Sequence, residues 1–272
     1  MPFEHFLITR FSYRANDASK NVASPTRKIS EGPLSPDRLE LRFMLFECTC
    51  LPSVEAQTDK DFKWIIIVDK DLAPEYRSRL EVLLKGRPNY FIHTYDPEVR
   101  MDELGWLEPY FSRNPDPNFV LSTNLDDDDA LPRNFVSSVR QHVSTEDAKG
   151  ELTPIKILGI KKIVQWDMIT SRRAPLGWRS SWHRNQRTSS CGYTLLVKYP
   201  ELSFCVLGTK HKHAEHYFDF SLPATDAYVD ERRAAFVSAA ANHNLHLEDY
   251  PAGSMFHDLT PATGPVLMSN HA

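Results

Sequence analysis

The chain has 272 residues, 41% of them hydrophobic, and a formal net charge of −4, enough to bury a full core as one large domain. Basic residues are dispersed apart from a local patch between Arg172 and Arg187, which argues against wholesale nucleic-acid binding. No apolar stretch approaches the ~18 residues of a spanning helix, no charged leader precedes a long apolar segment, and the four cysteines lack ligand spacing. A soluble, cytoplasmic protein with free, largely buried thiols is expected, with peripheral association its closest approach to a membrane.

His5–Phe11 reads as a first strand, short and apolar, with the polar pair Thr9-Arg10 near its end. An arginine there can meet phosphate or nucleobase, or merely cap the sheet edge. From Tyr13 to Pro36 the composition turns to Asn, Ser, Lys, Pro and Gly without a period, which predicts a mobile lid-like or partly disordered loop. Ser35-Pro36-Asp37 has helix-start chemistry, and Leu39, Phe43, Phe46, Cys50 and Val54 mark one face of an amphipathic helix ending near Gln57–Asp59. Pro52 should kink or restart it. Phe62–Val68 is a continuous β-branched run suited to a parallel strand buried on both faces, and it ends in Asp69-Lys-Asp71. Pro74–Leu84 reads as a helix and Tyr90–Thr94 as a strand, so the alternation predicts a parallel, doubly wound sheet with right-handed crossovers. Asp96–Asn118 is irregular, Pro-rich and aromatic.

Phe119–Leu125 reads as another buried strand, and it stops in four consecutive carboxylates, Asp126-Asp127-Asp128-Asp129. Acidic runs are usually solvated loop tips. Here, however, the run sits where strand gives way to a helix opening at Pro132, the edge at which open α/β sheets bind ligands. Adjacent like charges repel unless a cation or strong donors compensate, and oxygen-only ligation points to Mg²⁺ or Mn²⁺. A calcium loop is excluded, because its obligatory turn glycine would be Leu131.

Beyond the helix, expected to reach about Val143, Ile155–Ile160 and Ile163–Ile169 read as two strands that extend the sheet or form a small second one. The run Arg172, Arg173, Trp178, Arg179, Trp182, His183, Arg184 and Arg187 interleaves base and aromatic, as a plain exposed loop or as a surface for a diphosphate or a sugar face. Tyr193–Val197 and Phe204–Leu207 look strand-like. His211, His213 and His216 are a modest metal signal, Asp226–Asn244 reads as an outer helix, and the tail after Pro251 as extended or frayed. The glycine cradles of dinucleotide and P-loop sites are absent, as are the G-x-S-x-G elbow, H-E-x-x-H and paired C-x-x-C, so phosphate must be handled otherwise.

Leu125-Asp-Asp-Asp-Asp-Ala-Leu131 resembles the D-x-D signature of GT-A-fold glycosyltransferases. His5-Phe-Leu-Ile-Thr-Arg-Phe11, Arg42-Phe-Met-Leu-Phe-Glu47, Leu51-Pro-Ser-Val-Glu-Ala-Gln-Thr58 and Phe62-Lys-Trp64 are similar to a rhamnosyltransferase group within that superfamily. The likeness covers about His5 to Leu131, while the tract from Tyr13 to Pro36 departs from the family's compact spacing. It implies a single GT-A-type α/β domain over residues 1–272, a mostly parallel three-layer sheet flanked by helices with a small additional sheet. Residues 1–131 would bind the nucleotide-sugar and residues 132–272 the acceptor. It further implies that Asp126 and Asp128 are the D-x-D pair, Asp128 being the closer ligand of Mn²⁺ or Mg²⁺ and Asp126 nearer the ribose or the metal's waters. Asp129 would face sugar or acceptor, Asp69 the nucleoside, Thr9 and Arg10 would line the pocket, and His213 would complete the metal site. Inversion would require a general base, for which Asp129, Asp167 and Glu201 are candidates.

The expected activity is transfer of a sugar, rhamnose by the resemblance, from a nucleotide-diphosphate donor to a saccharide or lipid-linked acceptor. The competing readings are a sugar nucleotidyltransferase, whose Gly-rich opening is missing, and a non-catalytic metal- or saccharide-binding module.

Overall fold

The structure, a computed structural model, describes residues 3–12, 32–96, 98–112, 117–160, 162–167, 178–182, 191–209, 215–218, 255–256 and 266–267. The expected loop at 13–36 lies outside them up to residue 31, as do His211, His213, the helix at Asp226–Asn244, most of the basic-aromatic run and most of the tail.

The main sheet has seven strands in the order β3-β2-β1-β4-β8-β5-β9. These are β1 Phe3–Phe11, β2 Lys63–Asp69, β3 Tyr90–Tyr95, β4 Phe119–Asn124, β5 Ile155–Ile160, β8 Thr194–Lys198 and β9 His216–Phe218. Strands β1 to β4 are mutually parallel, β8 runs antiparallel to β4 and β5, and β9 parallels β5. A small second sheet contains β6 Lys162–Asp167, β7 Trp178–Trp182, β10 Met255–Phe256 and β11 Val266–Leu267. The two runs after residue 154 thus do both things open to them: β5 extends the main sheet and β6 centres the second.

Burial follows the pleat. Leu7 and Phe11 of β1 pack under α1 Pro36–Leu45, α2 Leu51–Glu55, α3 Pro74–Leu84 and α4 Phe135–Lys149, while Phe6 and Ile8 face the other side. That other side is covered by Leu104, Trp106, Leu107, Cys205 and Val206, irregular chain with 3-10 turns at Glu108–Tyr110 and Val206–Gly208. Handedness explains the division. Stepping from β1 to β2 to β3 by right-handed crossovers puts α1, α2 and α3 on one face, and the return to β4, on the other flank of β1, must cross the opposite face. The Phe204–Leu207 stretch, expected as strand, is a single bridge from Phe204 to Glu103 followed by the 3-10 turn; its core residues are Cys205 and Val206.

The first helix passes through a π turn at Phe46–Cys50 before α2. Leu51 N–H reaches back to Phe46 O, and Pro52, with no N–H to give, follows at once; this is the restart expected there. No described helix is long and apolar enough to cross a membrane. None of the four cysteines is in a disulfide, and Cys50, Cys191 and Cys205 are buried.

Candidate functional site

Strand order reverses at β1: β2 lies on one flank and β4, reached after β3, on the other. The carboxyl ends of these strands are in register, Phe11 against Val68 and Ile8 against Asn124, so Arg10, Asp69 and Asp126 come to one edge within about two strand spacings, ~10 Å. A sheet opens a crevice at such a reversal. Arg10 Nη2 spans it to Asp126 Oδ1 at 3.0 Å, with the two side chains 42% and 26% exposed. Asn124 Nδ2 lies 3.5 Å from the same oxygen.

The next two carboxylates turn inward. Asp127 and Asp128 are fully buried beneath α1, where Arg42 places Nη2 3.1 Å from Asp127 Oδ1 and donates through Nη1 to Asp128 Oδ2. Burial drives the Asp127 carboxyl up to about 7; Arg42 opposes the rise, and Asp128 and Asp126 add to it. Burial alone would lower Arg42, but Asp127 and Asp128 outweigh it and hold the guanidinium more firmly charged than usual. Asp129 is 2% exposed. Two thiols flank the run, Cys50 and Cys191, both pushed well up by burial and then by the neighbouring aspartates. Cys191 and Gly192 close the loop from the far side: Gly192 N–H donates to Asn124 O at 2.9 Å, its φ is +68°, and a Cβ there would run into the Ile160 and Phe135 side chains.

A divalent ion needs several oxygens converging on one point. Here Asp126 is turned to Arg10, and Asp127 and Asp128 to Arg42, so the two D-x-D carboxylates face different guanidiniums. Among the described residues no three His, Cys, Asp or Glu side chains are arranged to hold a metal, and the carboxylates as they stand do not fit one. His213 lies outside the described residues.

The other expected site residues separate into two groups. Asp69 is at the right edge but is 3% exposed, and its Oδ1 accepts the Asp71 N–H at 2.9 Å, shaping the turn after β2. Thr9 does not line the pocket: it faces the helices, fully buried, and its hydroxyl accepts from Trp64 Nε1 at 2.8 Å. Glu201 is at the wrong end of the sheet. It follows β8, which runs antiparallel to β4, so it sits beyond the Phe119 end, pairs with Lys198, and is about 20 Å of strand from Asp126. Asp167 ends β6 in the second sheet, opposite Met255. Sequence reasoning passed over Arg42 as a functional residue. Its signal is a basic side chain on the apolar stripe, three residues after Leu39 and four before Phe46, where burial requires an acidic partner.

Solved structures of TarS from S. aureus resemble the chain only distantly. In complex with UDP-GlcNAc, TarS is 14% identical over 59% of this chain and 34% of that one, TM-score 0.29. In complex with UDP it is 10% identical over 92% and 68%, TM-score 0.32. The chain spans about a third of the first of these proteins, and similarity at this level carries no argument about the site. No curated protein matches. Residues 4–156, which run from β1 through the acidic run into β5, match the family described as "Putative rhamnosyl transferase", and the chain belongs to that family.

Proposed function

We propose that this protein is a glycosyltransferase that moves a sugar, rhamnose by its family, from a nucleotide-diphosphate donor to a saccharide or lipid-linked acceptor. The observation that carries the reading is the Arg10–Asp126 pair, exposed across the point of strand reversal in a chain of this family. Transfer breaks the bond between the anomeric carbon and the diphosphate oxygen, leaving positive charge on the sugar and negative charge on the diphosphate. Arg10 offers guanidinium N–H donors to those phosphate oxygens, a stabilisation that grows as the bond breaks. Asp126, exchanging Arg10 for the donor, accepts from ribose hydroxyls.

No step here passes through a divalent ion. Mn²⁺ or Mg²⁺ would have to draw Asp128 from Arg42 and bring Asp126 to the same point, and that requirement is a separate part of the proposal. For inversion the base is placed on Asp129, at the edge that Glu201 does not reach, and the loop must open to expose it.

The test is release of nucleoside diphosphate from UDP-, GDP- and dTDP-linked sugars, each with and without Mn²⁺. One donor should be turned over, and Asp126→Asn and Arg10→Ala should each cut turnover at least tenfold. Folded protein that releases nothing from any donor would refute the reading.

A further inference from the structure

The acidic run is followed at once by a seam of polar contacts to the end of the bent first helix. Gln57 is 2% exposed, and its amide is used at both ends. Nε2 donates to Pro132 O at 2.7 Å and to Ser53 O at 3.0 Å, while Oε1 accepts the Val136 N–H at 3.1 Å. Ser53, one turn earlier, donates from Oγ to Cys50 O at 2.8 Å and accepts the Leu131 N–H at 3.2 Å. Val136 is the second residue of α4, whose own N-cap Asn134 makes no side-chain cap, so Gln57 satisfies from another element an N–H that a helix start otherwise leaves open.

A hydrophobic side chain could fill the same space. What the amide adds is a fixed spacing between α2 and residues 131–136, set by hydrogen bonds that weaken steeply with misalignment. With Arg42 of α1 on Asp127 and Asp128, and Ser53 and Gln57 on residues 131, 132 and 136, the chain from 127 to 136 is held along its length by the segment that runs from α1 through α2.

We propose that Gln57, assisted by Ser53, is a positioning residue for the acidic loop, setting where Asp126 stands for the donor. This rests on the sugar-nucleotide reading of the site. Gln57 touches no reacting group, so its effect should appear in donor affinity and loop exchange.

The experiment compares the full-length wild type with Gln57→Met, Gln57→Glu and Val143→Ala. Met keeps the volume and loses every bond; Glu keeps an acceptor for the Val136 N–H and loses the donors. Val143→Ala loosens the buried face of the same helix, α4, two turns beyond Val136 and serves as the stability control. Hydrogen–deuterium exchange over residues 125–137 should rise about tenfold in Gln57→Met, less in Gln57→Glu, and remain at the wild-type rate in Val143→Ala. Affinity for the nucleoside diphosphate should weaken about tenfold in the same order, with Val143→Ala unchanged although its urea midpoint falls. Exchange over 125–137 at the wild-type rate in Gln57→Met, or raised equally in Val143→Ala, would overturn the proposal. A wild type that binds no nucleotide would sink the functional reading alone, since the exchange comparison decides the positioning role by itself.

Discussion

Replacing Arg42 with Gln removes a guanidinium that faces both Asp127 and Asp128, while the helix keeps a residue of similar length and propensity. Both carboxylates are fully buried, and stripping the partner from a buried charge costs about 3–5 kcal/mol. The carboxylates can limit that cost by taking up a proton. Against an unfolded value of 3.8, protonation costs about 1.4 kcal/mol per pH unit, so the ceiling per carboxylate is about 6 kcal/mol at pH 8 and under about 2 kcal/mol at pH 5. The sign follows: a carboxyl raised on folding stabilises the native state below its unfolded pKa and loses that stability as pH rises through the folded value, already about 7 for Asp127 with Arg42 present. Urea unfolding of wild type and Arg42→Gln at pH 8 and pH 5 should therefore show a loss of about 3–5 kcal/mol that shrinks by half or more in acid. A loss under about 1 kcal/mol at pH 8, or one independent of pH, would show that Arg42 is not the counter-charge of the loop.

Three further outcomes follow from the geometry. His5 is fully buried, bonded through Nε2 to Thr123 Oγ1 at 2.9 Å, and burial, then Arg140, lowers its pKa to about 3. A lowered histidine holds the native state above the unfolded pKa of 6.5 and costs stability as pH falls below it, so between pH 7 and 5 wild type should lose about 2 kcal/mol that His5→Gln does not, read as the difference in urea-derived stability. Gly192→Ala forces a left-handed φ and a Cβ within 3.1 Å of Phe135 Cε2, and a loss of about 2–5 kcal/mol is expected by thermal or urea melting. Thr9→Val should cost about 1–3 kcal/mol of stability, because the Trp64 N–H is left buried without its acceptor, and should leave nucleotide affinity unchanged in calorimetry.

Local chemistry made much of this legible. The Phe62–Val68 run suited a strand buried on both faces, and the strand observed is Lys63–Asp69; Pro74–Leu84 is a helix over the expected residues. The Ser-Pro-Asp start and four-three-four stripe located the first helix, though the π turn that Pro52 accompanies shows only in its hydrogen bonds. The helix after the acidic run begins at Phe135 rather than Pro132, because the Pro132 carbonyl is committed to Gln57 Nε2 and the Phe135 N–H. At the site, the carboxyl-edge location followed from strand followed by carboxylates. Which side chains faced outward did not. Asp127 and Asp128 alternate in sequence like any exposed pair, and only the packing of α1 across the loop sends both inward onto Arg42. The resemblance implied that Thr9 lines the pocket, but the pleat decides, and Leu7, Thr9 and Phe11 of that strand face the helices. Glu201 was misplaced for want of strand direction: that β8 runs antiparallel depends on pairing 71 to 79 residues apart, which local pattern does not encode.

The central claim is that an activated sugar's diphosphate binds at the point of strand reversal, between Arg10 and Asp126. The most direct measurement is calorimetric titration of wild type, Arg10→Ala and Asp126→Asn with UDP, GDP and dTDP, each with Mn²⁺ and with EDTA. The claim predicts saturable binding of one nucleotide to wild type, weakened at least tenfold in both variants. Binding that survives both substitutions at full strength, or a wild type that takes up none of the three, would contradict it.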